Sequence, residues 1–121
     1  MNALHRLPAT TEAPWEDIPT DRLLAGTPRT RTIMLYESPE QKLYVGEWEA
    51  TVGKWRIAYT EWEYVQVISG TCILQGDDGS KIEAGPGQKF VIEPGFTGTW
   101  EVLTPMRKSW VIKELSDTLL N

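Results

Sequence analysis

Residues 62–79 read WEYVQVISGTCILQGDDG, and this stretch decides the fold. From Trp62 to Ser69, and again from Thr71 to Gln75, apolar and polar side chains form short, β-branched runs of the kind that half-buried strands carry. Ser69-Gly70 parts the two runs. Gly76-Asp77-Asp78-Gly79 ends the second with turn residues, and Asp78-Gly79 is the strongest hairpin signal in the chain. The same punctuation continues on either side. Strands are expected over Thr32–Glu37, Tyr44–Thr51, Lys54–Thr60, Lys89–Ile92, Thr99–Leu103 and Lys108–Glu114, with breaks at Val52-Gly53, Gly85-Pro86-Gly87, Pro94-Gly95 and Thr104-Pro105. This many short strands in about 85 residues imply an all-β sandwich or barrel.

The flanks read differently. Residues 1–30, with Pro8, Pro14, Pro19 and Pro28, form an extended N-terminal arm ahead of a single domain over residues 31–121. Within the arm, Asp21 to Ala25 suits a short helical turn, capped by Asp21 and stopped by Gly26. At the other end, Leu115, Leu119 and Leu120 give Glu114–Asn121 a helix-like spacing that fits a short cap or an edge.

With 12 Lys and Arg against 17 Asp and Glu, the net charge is −5, which repels a nucleic-acid backbone. Cys72 is the only cysteine, so no intrachain disulfide forms, and a cytoplasmic address is expected. Met1–Thr10 contains no apolar block and the longest uninterrupted apolar run is Ile33 to Tyr36, so neither secretion nor membrane insertion is signalled. No GxSxG, phosphate-cradling GxxxxGK[ST] or dinucleotide-binding glycine pattern occurs.

Several short motifs carry a resemblance: Gly46-Glu47-Trp48-Glu49-Ala50, Gly53-Lys54-Trp55, Glu63 followed by Gly70, Asp78-Gly79, Gly85-Pro86-Gly87, Gly95 to Glu101, and Arg107-Lys108. Through them the block from Gly46 to Lys113 resembles the cupins, and within them the ureidoglycine aminohydrolase-type small cupins. The resemblance implies a double-stranded jelly roll, or double-stranded β-helix, with a pocket at one mouth of the barrel. It also implies where a metal would sit. Metal-binding cupins present two histidines in an HxH pattern, a glutamate and a third histidine. The matching positions here are Ile57, Tyr59, Glu63 and Gly98, so only Glu63 keeps a ligand, and the chain's one histidine, His5, lies in the arm. No cofactor is expected. At Glu93-Pro94 the proline falls one position later than in the family pattern, which places Glu93 either at the rim or out in solvent.

In the cupin register, Ile57, Tyr59, Glu61, Glu63, Val65 and Val67 share the inward face, as do positions 98, 100 and 102, and Lys108, Trp110 and Ile112. Trp100 then points into the cavity, with Glu63 as its carboxylate and Lys108 as its ammonium. Two readings of that pair stand: a carboxylate set for proton transfer, or an internal ion pair that fixes the barrel's geometry. Tyr59 either orients a ligand or donates a proton to it, or else packs as a core aromatic with its hydroxyl on backbone. Trp48, Trp55, Trp62, Trp100 and Trp110 form either an aromatic box for a cationic or flat ligand or ordinary core and interface packing. Glu61 shares the parity of Glu63 and reads as a solvated rim position. Gln66 faces the other way, and Cys72 reads as a buried, inert thiol.

The candidate catalytic residues are therefore Glu63, to move a proton, and Lys108, to stabilise negative charge. Tyr59, Glu61, Trp100 and Trp110 are the candidate substrate-binding residues. The expected function is binding of a small polar metabolite in the barrel without a catalytic metal, and the resemblance implies a nitrogen-containing one; as an enzyme, the protein would do acid/base chemistry of the hydrolase, isomerase or lyase type. The alternative is a non-catalytic ligand-sensing or assembly module, and a third reading keeps a metal on Glu63, Glu61 and Tyr59. A homodimer is expected, in which the arm of one subunit covers a sheet edge of the other.

Overall fold

Alternation with period two turns one side of each strand inward, and the antiparallel pairings then decide which inward residues meet. The structure, a computed structural model, describes residues 3–9 and 12–115. Its strands in chain order are β1 Glu16–Asp17, β2 Leu23–Gly26, β3 Arg29–Ser38, β4 Leu43–Ala50, β5 Gly53–Ala58, β6 Trp62–Gly76, β7 Lys81–Ala84, β8 Lys89–Ile92 and β9 Thr97–Lys113. All the pairings are antiparallel. No helix among the described residues is long and apolar enough to cross a membrane.

The long strands β6 and β9 pair along their length, and each serves both layers of the barrel. One layer joins β3, β4, the second half of β9, the first half of β6 and β8. The other joins β2, β5, the first half of β9, the second half of β6 and β7. The curl between layers falls where the β6 register shifts, from Val67 to Cys72. Gly70 makes it possible: its φ is +81°, and a Cβ there would run into the Pro105 carbonyl and Met106. The result is an all-β jelly-roll barrel whose core contains Val65, Val67, Cys72, Trp100 and Val102.

Three expectations are corrected. Ser69-Gly70 and Thr104-Pro105 do not end strands, since β6 and β9 run through them as bends. Pro105 is tolerated because the β9 ladder with β6 passes from Thr104 to Arg107 without using it. The helical turn expected over Asp21–Ala25 is shorter and lies earlier, closing on the Pro19 carbonyl and ending before Leu23. Arg22 and Leu23 donate to the Pro19 carbonyl, and the chain then extends as β2 against the edge of β5. β7, with Ile82 its one large apolar side chain, was not anticipated as a strand, although the Asp78-Gly79 hairpin leads into it. The stretch read as an arm contributes β1 and β2 to the sheet of its own chain and buries Ile18 in the core. The tail reading falls, beyond Leu115, outside the described residues.

Candidate functional site

Three inward rows of the first layer build the floor of the site. Tyr44, Ile112, Glu63 and Ile92 lie abreast on β4, β9, β6 and β8, followed by Gly46, Trp110, Val65 and Phe90, and then by Trp48, Lys108 and Val67. From the second layer, Trp55, Trp100 and Leu74 face them. Gly46 leaves room for the Trp110 ring, which a Cβ there would strike.

Glu63 and Lys108 meet as the register predicts. Lys108 Nζ donates to Glu63 Oε2 at 2.9 Å, and the two residues are 4% and 2% exposed, Lys108 first. Tyr59, just past the end of β5, donates its hydroxyl proton to Glu63 Oε1 at 2.6 Å, so the bond ties one layer to the other. Its hydroxyl is thus on a carboxylate and not on backbone. Burial pushes the Tyr59 phenol up, and the neighbouring Glu63 charge adds to the shift, so the tyrosine keeps its proton. Lys108 is also sandwiched between indoles, with Nζ 4.6 Å from the Trp48 ring centroid and 4.4 Å from that of Trp100.

The aromatic box is therefore real in part, and its cation is the protein's own. Trp48 packs on Trp100 at 5.3 Å and on Trp55 at 6.1 Å between centroids. Trp62 is not in it, because it alternates with Glu63 and faces outward. Trp110 lies in the neighbouring row. Cys72 is buried with its thiol pushed up to about 11 by desolvation, as an inert cysteine requires. Glu93 is exposed and lines a separate groove beside Phe96.

The mouth of the barrel opens into two adjoining lobes that share Trp48, Tyr59, Glu61 and Lys108. The larger, ≈ 470 Å³, adds Tyr44, Glu63, Trp110 and Glu114. The smaller, ≈ 270 Å³, adds Arg22, Thr30, Trp55, Ile57 and Trp100. All six candidate residues, Glu63, Lys108, Tyr59, Glu61, Trp100 and Trp110, line one lobe or both. Glu61 is half-buried and accepts from the Thr60 amide at 3.1 Å. Sequence reasoning missed Tyr44, which shares the face of Trp48 on β4 and was reachable by parity. It also missed Arg22, for which the arm offered no signal.

The four positions that would hold a metal do not fit one. Ile57 brings no donor atom, and a side chain at Gly98 would drive into the Gln75 carbonyl. Both oxygens of Glu63 are engaged, one by Tyr59 and the other by a cation. No group of three or more His, Cys, Asp or Glu is placed to hold a metal ion among the described residues.

A family model described as the EutQ-like cupin domain matches residues 37–110, which include Glu63, Trp100 and Lys108. No curated protein matches the chain. Among solved structures, a Pseudomonas syringae pv. tomato protein of unknown function is similar with a TM-score of 0.73 and 18% identity, over 93% of this chain and 46% of its own. This chain thus spans less than half of that one. The Clostridium difficile EutQ protein is similar with a TM-score of 0.65 and 23% identity, over 78% of this chain and 69% of its own. Ectoine synthase from P. lautus gives 0.63 and 15%, over 86% and 73%. At such identities the likeness is one of fold, whereas the match of the family model covers more than half the chain: the protein belongs to the EutQ-like cupin domain family.

Proposed function

We propose that this protein binds a small polar, nitrogen-containing metabolite in the mouth of its barrel and moves a proton on it through Tyr59 and Glu63, without a bound metal. One observation carries the reading: Tyr59 aims its proton at a carboxylate whose other oxygen is held by an ammonium. In such a relay the ligand gives a proton to the Tyr59 oxygen while Tyr59 passes its own to Glu63 Oε1. Negative charge leaves Glu63 and appears on the ligand, and Lys108, which lines both lobes, stabilises it there. The larger lobe has the size of a small-molecule site. Hydrolysis, isomerisation and elimination all use this step, and the narrower kinship with ureidoglycine aminohydrolases is part of the same proposal.

The test is a thermal-shift screen of metabolites, followed by turnover assays of each ligand found, with Glu63→Gln and Tyr59→Phe alongside. Both variants are expected to lose about 10²–10⁴ in turnover while keeping ligand affinity within a few-fold. Ligands that bind but are never turned over, with variants that change affinity alone, would make the protein a sensing module and overturn the catalytic reading. Near-stoichiometric metal in protein purified without a histidine tag would overturn its metal-free part.

A further inference from the structure

Residues 85–88, GPGQ, and residues 93–96, EPGF, are built alike. In each, the fourth residue donates its amide to the carbonyl of the first, Gln88 to Gly85 at 3.1 Å and Phe96 to Glu93 at 3.2 Å. Proline presets the second place of such a type II turn, and the third place needs a positive φ, which Gly87 supplies at +84° and Gly95 at +94°. Each glycine also opens a β-bulge: its amide bonds the carbonyl of one residue across the ladder, and that residue's amide bonds the carbonyl after the glycine, so two residues face one. Gly87 and Gln88 face Val67, at 2.8 and 2.9 Å. Gly95 and Phe96 face Tyr59, at 2.7 and 2.9 Å. Val67 is wholly buried in the core, so its bulge only shapes the barrel. Tyr59 stands one residue beyond the last pair of β5 with β9, Ala58 against Thr97, and there the bulge takes over from the ladder. Phe96 anchors it by packing against the core.

We infer that Gly95 is a positioning residue: the bulge it opens with Phe96 holds the Tyr59 backbone so that the phenol meets Glu63 Oε1. Bulges beside reactive groups serve to re-aim a side chain, and a hydroxyl bond of 2.6 Å tolerates little movement of the backbone that carries it. A Cβ at Gly95 would meet nothing within 4 Å, so what a side chain disturbs there is the positive φ and with it the bulge, not a contact. The same holds at Gly87, which makes its turn a control within the molecule. The catalytic meaning of this aim rests on the proposed Tyr59–Glu63 relay; the aim itself rests on the backbone.

Tyrosine labelled with ¹³C at Cζ reads the aim, because Tyr59 keeps its proton far above the ordinary value of 10.0 through its burial and the charges of Glu63 and Glu61. Its signal is the one that Tyr59→Phe removes. In the unmodified protein and in Gly87→Val that signal is expected to stay unmoved from about pH 7 to 11, whereas in Gly95→Val it is expected to titrate near the ordinary value. Gly95→Asn, which tolerates a positive φ, is expected to restore the unmodified behaviour. On a ligand from the metabolite screen, Gly95→Val is expected to lose about 10²-fold in kcat with KM within a few-fold, and Gly87→Val to keep its kcat. Gly95→Ala carries the same expectations should Gly95→Val fail to fold. A Tyr59 signal indifferent to substitution at Gly95, or moved as far by Gly87→Val, overturns the inference. The proposed function is lost separately, if Tyr59→Phe keeps full turnover while the Tyr59 signal still follows Gly95.

Discussion

A buried ammonium keeps its charge only if its surroundings replace the water it has lost. Lys108 has three replacements, the Glu63 carboxylate and the faces of Trp48 and Trp100. Removing one partner of such a pair strands the other, so Lys108→Met is expected to cost about 3–5 kcal/mol by leaving Glu63 charged and half-satisfied. The double variant Glu63→Gln with Lys108→Met is expected to cost less than the two singles added together, read from urea denaturation as a double-mutant cycle. Singles that each cost under about 1 kcal/mol would mean that the pair is solvated. At this scale the sequence was legible where parity sufficed: Glu63, Lys108 and Trp100 all face inward as their spacing dictates. It was not legible where a partner comes from another strand. That Trp48 lies over Lys108 depends on the register of β4 against β9, which no local pattern encodes.

The elements show the same divide. Asp78-Gly79 marks its hairpin because only particular residues take that turn, whereas Ser69-Gly70 and Thr104-Pro105 read as ends and are bends inside long strands. Gly and Pro record that the backbone departs from a straight strand, and only the pairing partners say whether the ladder resumes. β2 and β7 went unnoticed because edge strands need little apolar pattern of their own. Beside β7, the hairpin is fastened to β5 by Arg56, whose guanidinium makes paired bonds of 2.9 and 2.7 Å to Asp77. That bond, with help from Thr97, holds the Asp77 carboxyl down at about 2, against an ordinary value of 3.8. Because the folded value is the lower one, the contribution of Asp77 to stability is complete above about pH 4. It is lost as pH falls towards 2. Asp77→Asn is therefore expected to flatten the acid limb of a denaturation-against-pH profile between about pH 4 and 2 and to leave the slope near pH 7 unchanged. The group is exposed, so the effect is small. An acid limb identical to that of the unchanged protein would show that Arg56 does not hold Asp77 in solution.

At the scale of the whole molecule, what remains is the outer face of the first layer. Directly opposed pairs run Tyr36, Val45, Val111, Tyr64 and Val91 across five strands, all on the side away from Glu63, with the ring of the chain's own His5 packed on Tyr36 at one end. The adjacent row, Glu47, Ser109, Gln66 and Lys89, carries one charge of each sign. An apolar row that runs beside charges of both signs is complementary to itself about a two-fold axis, which suits the approach of a second copy. Since β1 and β2 fold back on their own sheet, association through this face needs no exchange of the arm. A homodimer is accordingly expected in sedimentation velocity at micromolar concentration. Tyr64→Arg, which sets a charge in the middle of the row and touches nothing in the barrel mouth, is expected to yield monomers that keep their thermal stability and ligand affinity. A monomeric unmodified protein would rule out the dimer, and a dimer indifferent to Tyr64→Arg would move the contact to another surface.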